Sequence, residues 1–208
     1  MKTRSPLHPW PTLHSEKGPD LAIFKLRYDH VRNPRNGVAM RAVVLDTPDW
    51  VDIVAITPEW EVVMVDQHRF GVGRVVTEIP AGAVNPGETP RDAAIRELRE
   101  ETGYTADRWI YLGPVEPNSA FQNNRAHQWV AWDVQRTHDL ALDAGEDIRV
   151  RRLSFNAVRQ AIQGGVIANS LALLALSRVF NIWDASQSNV SPFDALFSSE
   201  DETPSPDP

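Results

Sequence analysis

The period of apolar and polar positions changes twice along the chain. Early on, short runs rich in valine, isoleucine and aromatic residues alternate with turn residues. They predict extended segments at Ala22 to Val31, Val38 to Leu45, Val51 to Thr57 and Glu61 to Asp66. Asn33-Pro34, Asn36-Gly37, Thr47-Pro48 and Pro58 bound these runs, and Pro58-Glu59-Trp60 between two apolar runs reads as a tight hairpin. A further strand is predicted at Val75 to Ile79. The period then lengthens to that of a helix over residues 90–102. Strands are predicted again at Trp109 to Leu112, His127 to Val134 and Ile148 to Leu153, and helices at Phe155 to Gln163 and Asn169 to Phe180. Strands on both sides of one central helix, with helices closing the chain, predict an α+β domain around a mixed sheet.

The central helix has both of its ends written in the sequence. Thr89 offers a hydroxyl to an orphan N–H of the first turn. Pro90 stands at the first helical position, where a missing N–H costs nothing. Asp92 loosely completes a capping box and favours the positive end of the dipole. Gly103 supplies the left-handed stop. On the helical wheel Glu97, Glu100 and Glu101 fall on one side, and Ala94, Ile95 and Leu98 fall beside them, facing a core. A helix built for stability alone interleaves its charges. Arg96, one turn before Glu100, relieves part of the repulsion, and the remainder asks for a cation. Oxygen ligands without cysteine suit Mg²⁺ or Mn²⁺. The alternative is a solvated charged face.

Composition narrows the function. The 208 residues predict one domain with ragged ends: an irregular segment over 1–20, a folded domain over 21–184, and an acidic, proline-rich, disordered tail over 185–208. A net charge of −7 argues against nucleic acid or an anionic membrane surface as the main partner. No cysteine is present, which excludes disulfides, thiolate metal sites and cysteine nucleophiles. The opening residues carry no apolar signal core, and the most apolar late stretch, Val166 to Phe180, is too short and too polar to span a bilayer. The expected location is the cytoplasm. The six histidines show no metal-ligand spacing, and His8, His14, His30 and His138 read as surface residues. No Ser-His-Asp signature and no complete phosphate-binding P-loop is found; Gly71-Val72-Gly73 runs through Arg74 into a strand instead of a helix.

Five residues separate Gly82 from Glu88, seven more precede Arg96-Glu97-Leu98, and Glu100-Glu101-Thr102-Gly103 follows. Position by position this segment resembles the Nudix box, with Tyr104 where the family most often carries Ile, Leu or Val. The resemblance implies an α/β/α sandwich with a mixed β-sheet and an N-terminal antiparallel strand extension. It implies divalent metal, Mg²⁺ or Mn²⁺, held by Glu97, Glu100, Glu101 and the carbonyl of Ala81. Arg96 orders the glutamates, and Gly82, Glu88 and Gly103 shape the box.

Outside the box, Asp66-Gln67-His68-Arg69-Phe70 and Glu78-Ile79-Pro80-Ala81-Gly82 are similar to runs in ADP-ribose and nucleotide-sugar pyrophosphatases. Arg69 is either a phosphate ligand or half of a surface ion pair. Glu78 orients substrate, ligates an outer metal, or pairs with an arginine. Pro117, Asn124 and Arg125 are substrate-binding candidates, although Pro117 is followed by Asn-Ser-Ala-Phe where related chains continue Gly-Phe, and Asn-Asn-Arg also suits a plain turn. For the general base the resemblance points to an acidic loop before the last strand, with Glu146 the first choice, Asp143 the second, and Glu100 of the box a third. The implied activity is hydrolysis of ADP-ribose or a related nucleoside diphosphate sugar to a nucleoside monophosphate and a sugar phosphate. The alternatives are a GDP-mannose-type pyrophosphatase and a non-catalytic ADP-ribose sensor. The resemblance also implies a homodimer paired through residues 22–45.

Overall fold

The computed structural model describes residues 7–183, so the expected acidic tail over 185–208 lies outside the described residues. The chain divides into two compact units. Among the described residues one comprises 7–49 and 115–126, the other 50–114 and 127–183.

The larger unit holds a mixed seven-stranded sheet. Its central path runs β12 (Ile148–Ser154), β5 (Glu61–Arg69), β4 (Trp50–Ile56), β10 (Ala126–Trp132), β9 (Arg108–Val115). β6 (Arg74–Glu78) pairs with β5, and β7 (Ala81–Ala83) pairs with β4. β4 is buried along nearly its whole length, as a strand covered on both faces must be. Its alternation divides it between two cores. Val51, Ile53 and Ala55 meet Ala93, Ala94 and Leu98 of α1 (Pro90–Thr102). Val54 and Ile56 turn to the other side, against Val158 and Ile162 of α2 (Phe155–Gln163) and Leu176 and Val179 of α3 (Ser170–Val179). The result is the expected α/β/α sandwich. Its hairpin tip closes between Thr57 and Glu61, with Trp60 at φ +62. The Trp60 ring packs edge-on against Trp132 at 5.1 Å, a contact that offsets the left-handed backbone of a bulky residue.

The smaller unit is an antiparallel sheet ordered β1-β2-β3, from Thr12–Asp20, Lys25–Arg32 and Ala39–Asp46. The irregular segment expected over residues 1–20 is corrected over its second half, where β1 runs from Thr12 to Asp20. β1 buries no side chain, so it lacks the apolar alternation by which a strand is recognised. Its pairing to β2 holds it, with register shifts between Thr12 and His14 and between Lys17 and Asp20. Gly18 lets β2 approach, since a Cβ there would stand 2.7 Å from Cβ of Leu26. The remaining elements, β8 (Tyr104–Thr105) and β11 (Gln135–Arg136), pair as a two-stranded ribbon beyond α1. Among the described residues no helix is long and apolar enough to cross a membrane.

Candidate active site

α1 forms as its sequence predicts. The Thr89 hydroxyl accepts from the Asp92 N–H at 3.1 Å and donates to the Asp92 carboxylate at 2.7 Å. Gly103 closes the helix at φ +74, with its N–H on the Arg99 carbonyl. A second demand falls on Gly103: a Cβ there would lie 2.2 Å from the His138 carbonyl oxygen. Its own carbonyl accepts from the N–H groups of Thr137 and His138, so the chain beyond β11 packs onto bare backbone. Ile95, expected beside the core, is half-buried, whereas Ala94 and Leu98 are fully buried.

Arg96 is the hub of the segment. Nε and Nη2 bind both oxygens of Glu88 at 2.9 and 3.0 Å, Nη1 binds Glu97 at 2.7 Å and Glu100 at 3.1 Å, and Nη2 also donates to the Ala83 carbonyl at 2.8 Å. Glu88 accepts in addition from the Asn85 N–H, which folds the loop onto the same guanidinium. This arrangement holds the Glu88 carboxyl below its usual range, chiefly through the Arg96 hydrogen bonds. Gly82 has a spatial reason to be glycine. A Cβ there would fall within 2.0–2.4 Å of the Glu97 carboxyl atoms, so the missing side chain is the seat of that carboxylate. Glu101 is tied to the loop from the other side, accepting from the Ala81 N–H at 3.0 Å.

Glu97 and Glu101 are buried, at 8 % and 2 % exposure. Burial pushes the Glu101 carboxyl up to about 8; the Ala81 N–H opposes this, and the charges of Glu97 and Glu146 add to it. Burial also raises Glu97, against the pull of Arg96 and with Glu100 and Glu146 adding to the rise. Two carboxylates whose burial makes ionisation harder, one of them held by the Arg96 guanidinium and set against bare backbone at Gly82, fit a divalent cation with oxygen ligands. Glu97, Glu100, Glu101 and the Ala81 backbone share this one place, and Glu146 lies within electrostatic reach of Glu97 and Glu101.

A second wall stands across β5 and β6. Arg69 binds Glu78 through Nε at 2.8 Å and Nη2 at 2.7 Å, so these two candidates are first of all each other's partners. The other oxygen of Glu78 accepts from Nδ2 of Asn169 at 2.8 Å. Asn169 also caps α3, its Oδ1 accepting from the Leu171 and Ala172 N–H groups. Sequence reasoning places Asn169 only as the first residue of the last helix. It misses entirely the buried pair Asp52 and Gln128, joined at 3.3 Å. Burial raises Asp52 to about 6, the Gln128 bond opposing and the Glu78 charge adding. Their only signal in the sequence is a polar residue within each of two apolar strands. A cleft of about 330 Å³, lined by Gln67, His68, Arg69, Phe70, Gly145 and Asp147, opens beside Arg69 and the loop that carries Glu146. In that loop Glu146 accepts from the Asp143 N–H at 3.0 Å, and its own N–H donates to the Asp143 carbonyl. The loop is fastened to α1 by the Ala141 N–H on the Glu100 carbonyl.

Pro117, Asn124 and Arg125 belong to the smaller unit. Asn124 is buried and donates to the Pro48 carbonyl at 3.1 Å, and the Arg125 N–H donates to Asp49 at 2.8 Å. Pro117 is half-buried.

A family model described as NUDIX domain matches residues 47–170. The chain belongs to the NUDIX family. A methanol dehydrogenase activator of Bacillus methanolicus is 33 % identical over 155 residues, which are 74 % of this chain and 83 % of that one. An ADP-ribose pyrophosphatase of Mycobacterium tuberculosis is 32 % identical over 174 residues, 83 % and 84 % of the two chains. An ADP-ribose pyrophosphatase of Bacillus subtilis is 28 % identical over 155 residues, 74 % and 83 %. A solved structure of an ADP compounds hydrolase superposes with a TM-score of 0.75 over 84 % of this chain and 94 % of that one, at 20 % identity, which shows the NUDIX fold. Pyrophosphatases of the family generally use divalent metal ions.

Two outcomes follow from the box. Gly82→Ala should displace the Glu97 carboxylate and weaken Mn²⁺ binding by about 10–100-fold with little loss of helix content. Electron paramagnetic resonance of free Mn²⁺ measures this, and unaltered affinity would mean that Glu97 does not hold metal. Glu101 binds its proton more tightly folded (about 8) than unfolded (4.5). Its contribution to metal-free stability is therefore present below about 4.5 and lost as pH rises through about 8. In chelator, the melting temperature should fall between pH 6 and 9, and Mn²⁺ should shrink that fall because the cation takes the ionised form. A metal-free melting temperature that rises over this range would remove the assigned burial of Glu101.

Proposed function

We propose that this NUDIX protein is a cytoplasmic, Mg²⁺- or Mn²⁺-dependent pyrophosphatase. It cleaves ADP-ribose or a related nucleoside diphosphate sugar to a nucleoside monophosphate and a sugar phosphate. The observation that carries the reading is the buried pair Glu97 and Glu101, seated against the Ala81–Gly82 backbone with Glu146 in their field. The names of the pyrophosphatase relatives supply the substrate class, and the net charge of −7 favours a small metal-complexed anion over nucleic acid.

In this mechanism Glu97, Glu100, Glu101 and the Ala81 carbonyl hold divalent metal. When bound, the metal supplies positive charge for the diphosphate oxygens and makes water more acidic. Arg96 keeps the carboxylates at their stations through its bonds to Glu88, Glu97 and Glu100. Glu146, on its turn with Asp143, takes the proton of the attacking water, which adds in line with the departing phosphate. Arg69, oriented by Glu78 and through it by Asn169, presents positive charge at the cleft where the diphosphate arrives. Pro117, Asn124 and Arg125 are further candidates for contact with the substrate.

The test is metal-dependent hydrolysis of ADP-ribose, ADP-glucose, GDP-mannose and NADH by the purified chain, with products separated by chromatography. AMP from ADP-ribose is expected well ahead of the rest. Glu101→Gln should abolish turnover with the fold intact, and Glu146→Gln should lower kcat by about 10²–10⁴-fold while Mn²⁺ still binds. Full turnover in Glu101→Gln would remove the metal role of this face. Glu100→Gln and Asp143→Asn separate the other two candidates for the base. GDP-mannose leading the panel would move the base specificity, and silence on the panel with ADP-ribose still bound would favour a sensor.

The chain also pairs as a homodimer in this reading. Among residues 7–49 no side chain is buried, and Leu13, Met40 and Val43 stand 46–50 % exposed on β1 and β3. Sedimentation equilibrium should return twice the chain mass; the monomer mass would reject the pairing.

A further inference from the structure

The six histidines show no ligand spacing in the sequence, yet the smaller unit brings two of them together. β1 and β2 pair with His14 opposite His30. Glu16 follows His14 by two residues and so projects from the same face of the sheet. Nε2 of His14 lies 3.2 Å from Oε1 of Glu16, and Nε2 of His30 lies 3.1 Å from that same oxygen. One ligand atom from each residue falls within 4.8 Å of both others. Nε2 of His30 is shut off from solvent and makes no hydrogen bond; its approach to Glu16 is close but poorly aligned.

We propose that His14, Glu16 and His30 form a second metal site, for Zn²⁺, that clasps β1 to β2. Three lines support it. The donor set is two imidazole nitrogens and a carboxylate oxygen, the set that takes zinc with a water in the fourth position, whereas the oxygen ligands of the box suit Mg²⁺ or Mn²⁺. Ligands of a tetrahedral zinc stand about 3.3 Å apart, given metal–ligand lengths of about 2.0–2.1 Å, and the two histidine–glutamate separations are already close to that. The site also answers a structural need. The sheet β1-β2-β3 buries no side chain between residues 7 and 49, and small units without a core are held by metals, disulfides or partners. This chain has no cysteine.

The surroundings set the conditions. The two imidazoles stack at 4.0 Å and 12°. Coordination in the plane of each ring requires them to fan apart by rotation about the Cβ–Cγ bonds. Tyr28 stands opposite Glu16, and Arg41 of β3 stands opposite His30. Arg41 is the cation nearest in register, and its guanidinium lies 4.6 Å from the centre of the Tyr28 ring.

The test titrates Zn²⁺ calorimetrically into the full chain with Mg²⁺ in large excess, so that the carboxylates of the box are engaged. One equivalent per chain is expected. His30→Asn and Glu16→Gln should each weaken it by at least about tenfold, and Glu101→Gln in the box should not. Hydrogen exchange should slow at the β1 and β2 amides on adding Zn²⁺ to the native chain and to Glu101→Gln, and stay unchanged in His30→Asn. The melting curve of each variant without zinc shows that it folds, and the exposed Glu16 provides a substitution that leaves both histidines in place. The proposal is overturned if no equivalent binds in excess Mg²⁺, or if the equivalent survives His30→Asn and disappears in Glu101→Gln.

Discussion

Two carboxylates buried side by side on one helix cost several kcal/mol apiece unless something answers their charge. In this chain the Ala81 N–H answers Glu101 and the guanidinium of Arg96 answers Glu97, and the box is arranged around that guanidinium. A lysine at that position has one nitrogen and no fork, and it could not hold Glu88 by two oxygens while also reaching Glu97, Glu100 and the Ala83 carbonyl. Through Glu88 the same side chain fixes the loop ahead of the helix, and through Glu97 it fixes the helix face. The charge it supplies is one, against three glutamates in contact with it. Burial still holds the carboxyls of Glu97 and Glu101 above their usual range.

Packing and chemistry meet at β4. Because both faces of this strand are covered, α1 must come close enough for Ala93, Ala94 and Leu98 to touch Val51, Ile53 and Ala55. That closeness carries Glu97 and Glu101 down onto the short strand at Ala81–Ala83, where only a residue without a side chain leaves room. The small alanines of the helix and the glycine of the loop therefore serve one requirement, a short distance between helix axis and backbone. The opposite core, built from α2 and α3, touches the site through Asn169 and Glu78.

Much of this could be read in advance. Thr89, Pro90 and Gly103 marked the ends of α1 because capping is local chemistry. The apolar strands and both late helices followed from period alone. The grouping of Glu97, Glu100 and Glu101 followed from helix geometry. What escaped depends on pairs distant in sequence. β1 carries no apolar pattern, since its backbone is paired while its side chains stay in water. Asp52 and Gln128 are 76 positions apart and look like isolated polar interruptions until β4 and β10 lie side by side. Arg69 and Glu78 each read as either ligand or ion pair, and only the hairpin of β5 and β6 shows that they hold one another. The histidine cluster is of the same kind: His14 and Glu16 are close in sequence, but His30 arrives through the register of a strand that could not be foreseen.

Asn169 answers to two requirements at once. Its amide oxygen caps the start of α3, and its amide nitrogen secures Glu78. Serine, threonine or aspartate would each serve as a cap. Aspartate has no proton to give Glu78 and would set a second negative charge against it. The hydroxyl residues are shorter by an atom and have a single oxygen for both tasks. Substitutions that are interchangeable at an ordinary helix start are thus not interchangeable here. In chains built on the same plan, an asparagine that never drifts to serine or aspartate at this place would report that the arginine–glutamate pair beyond it is still in use.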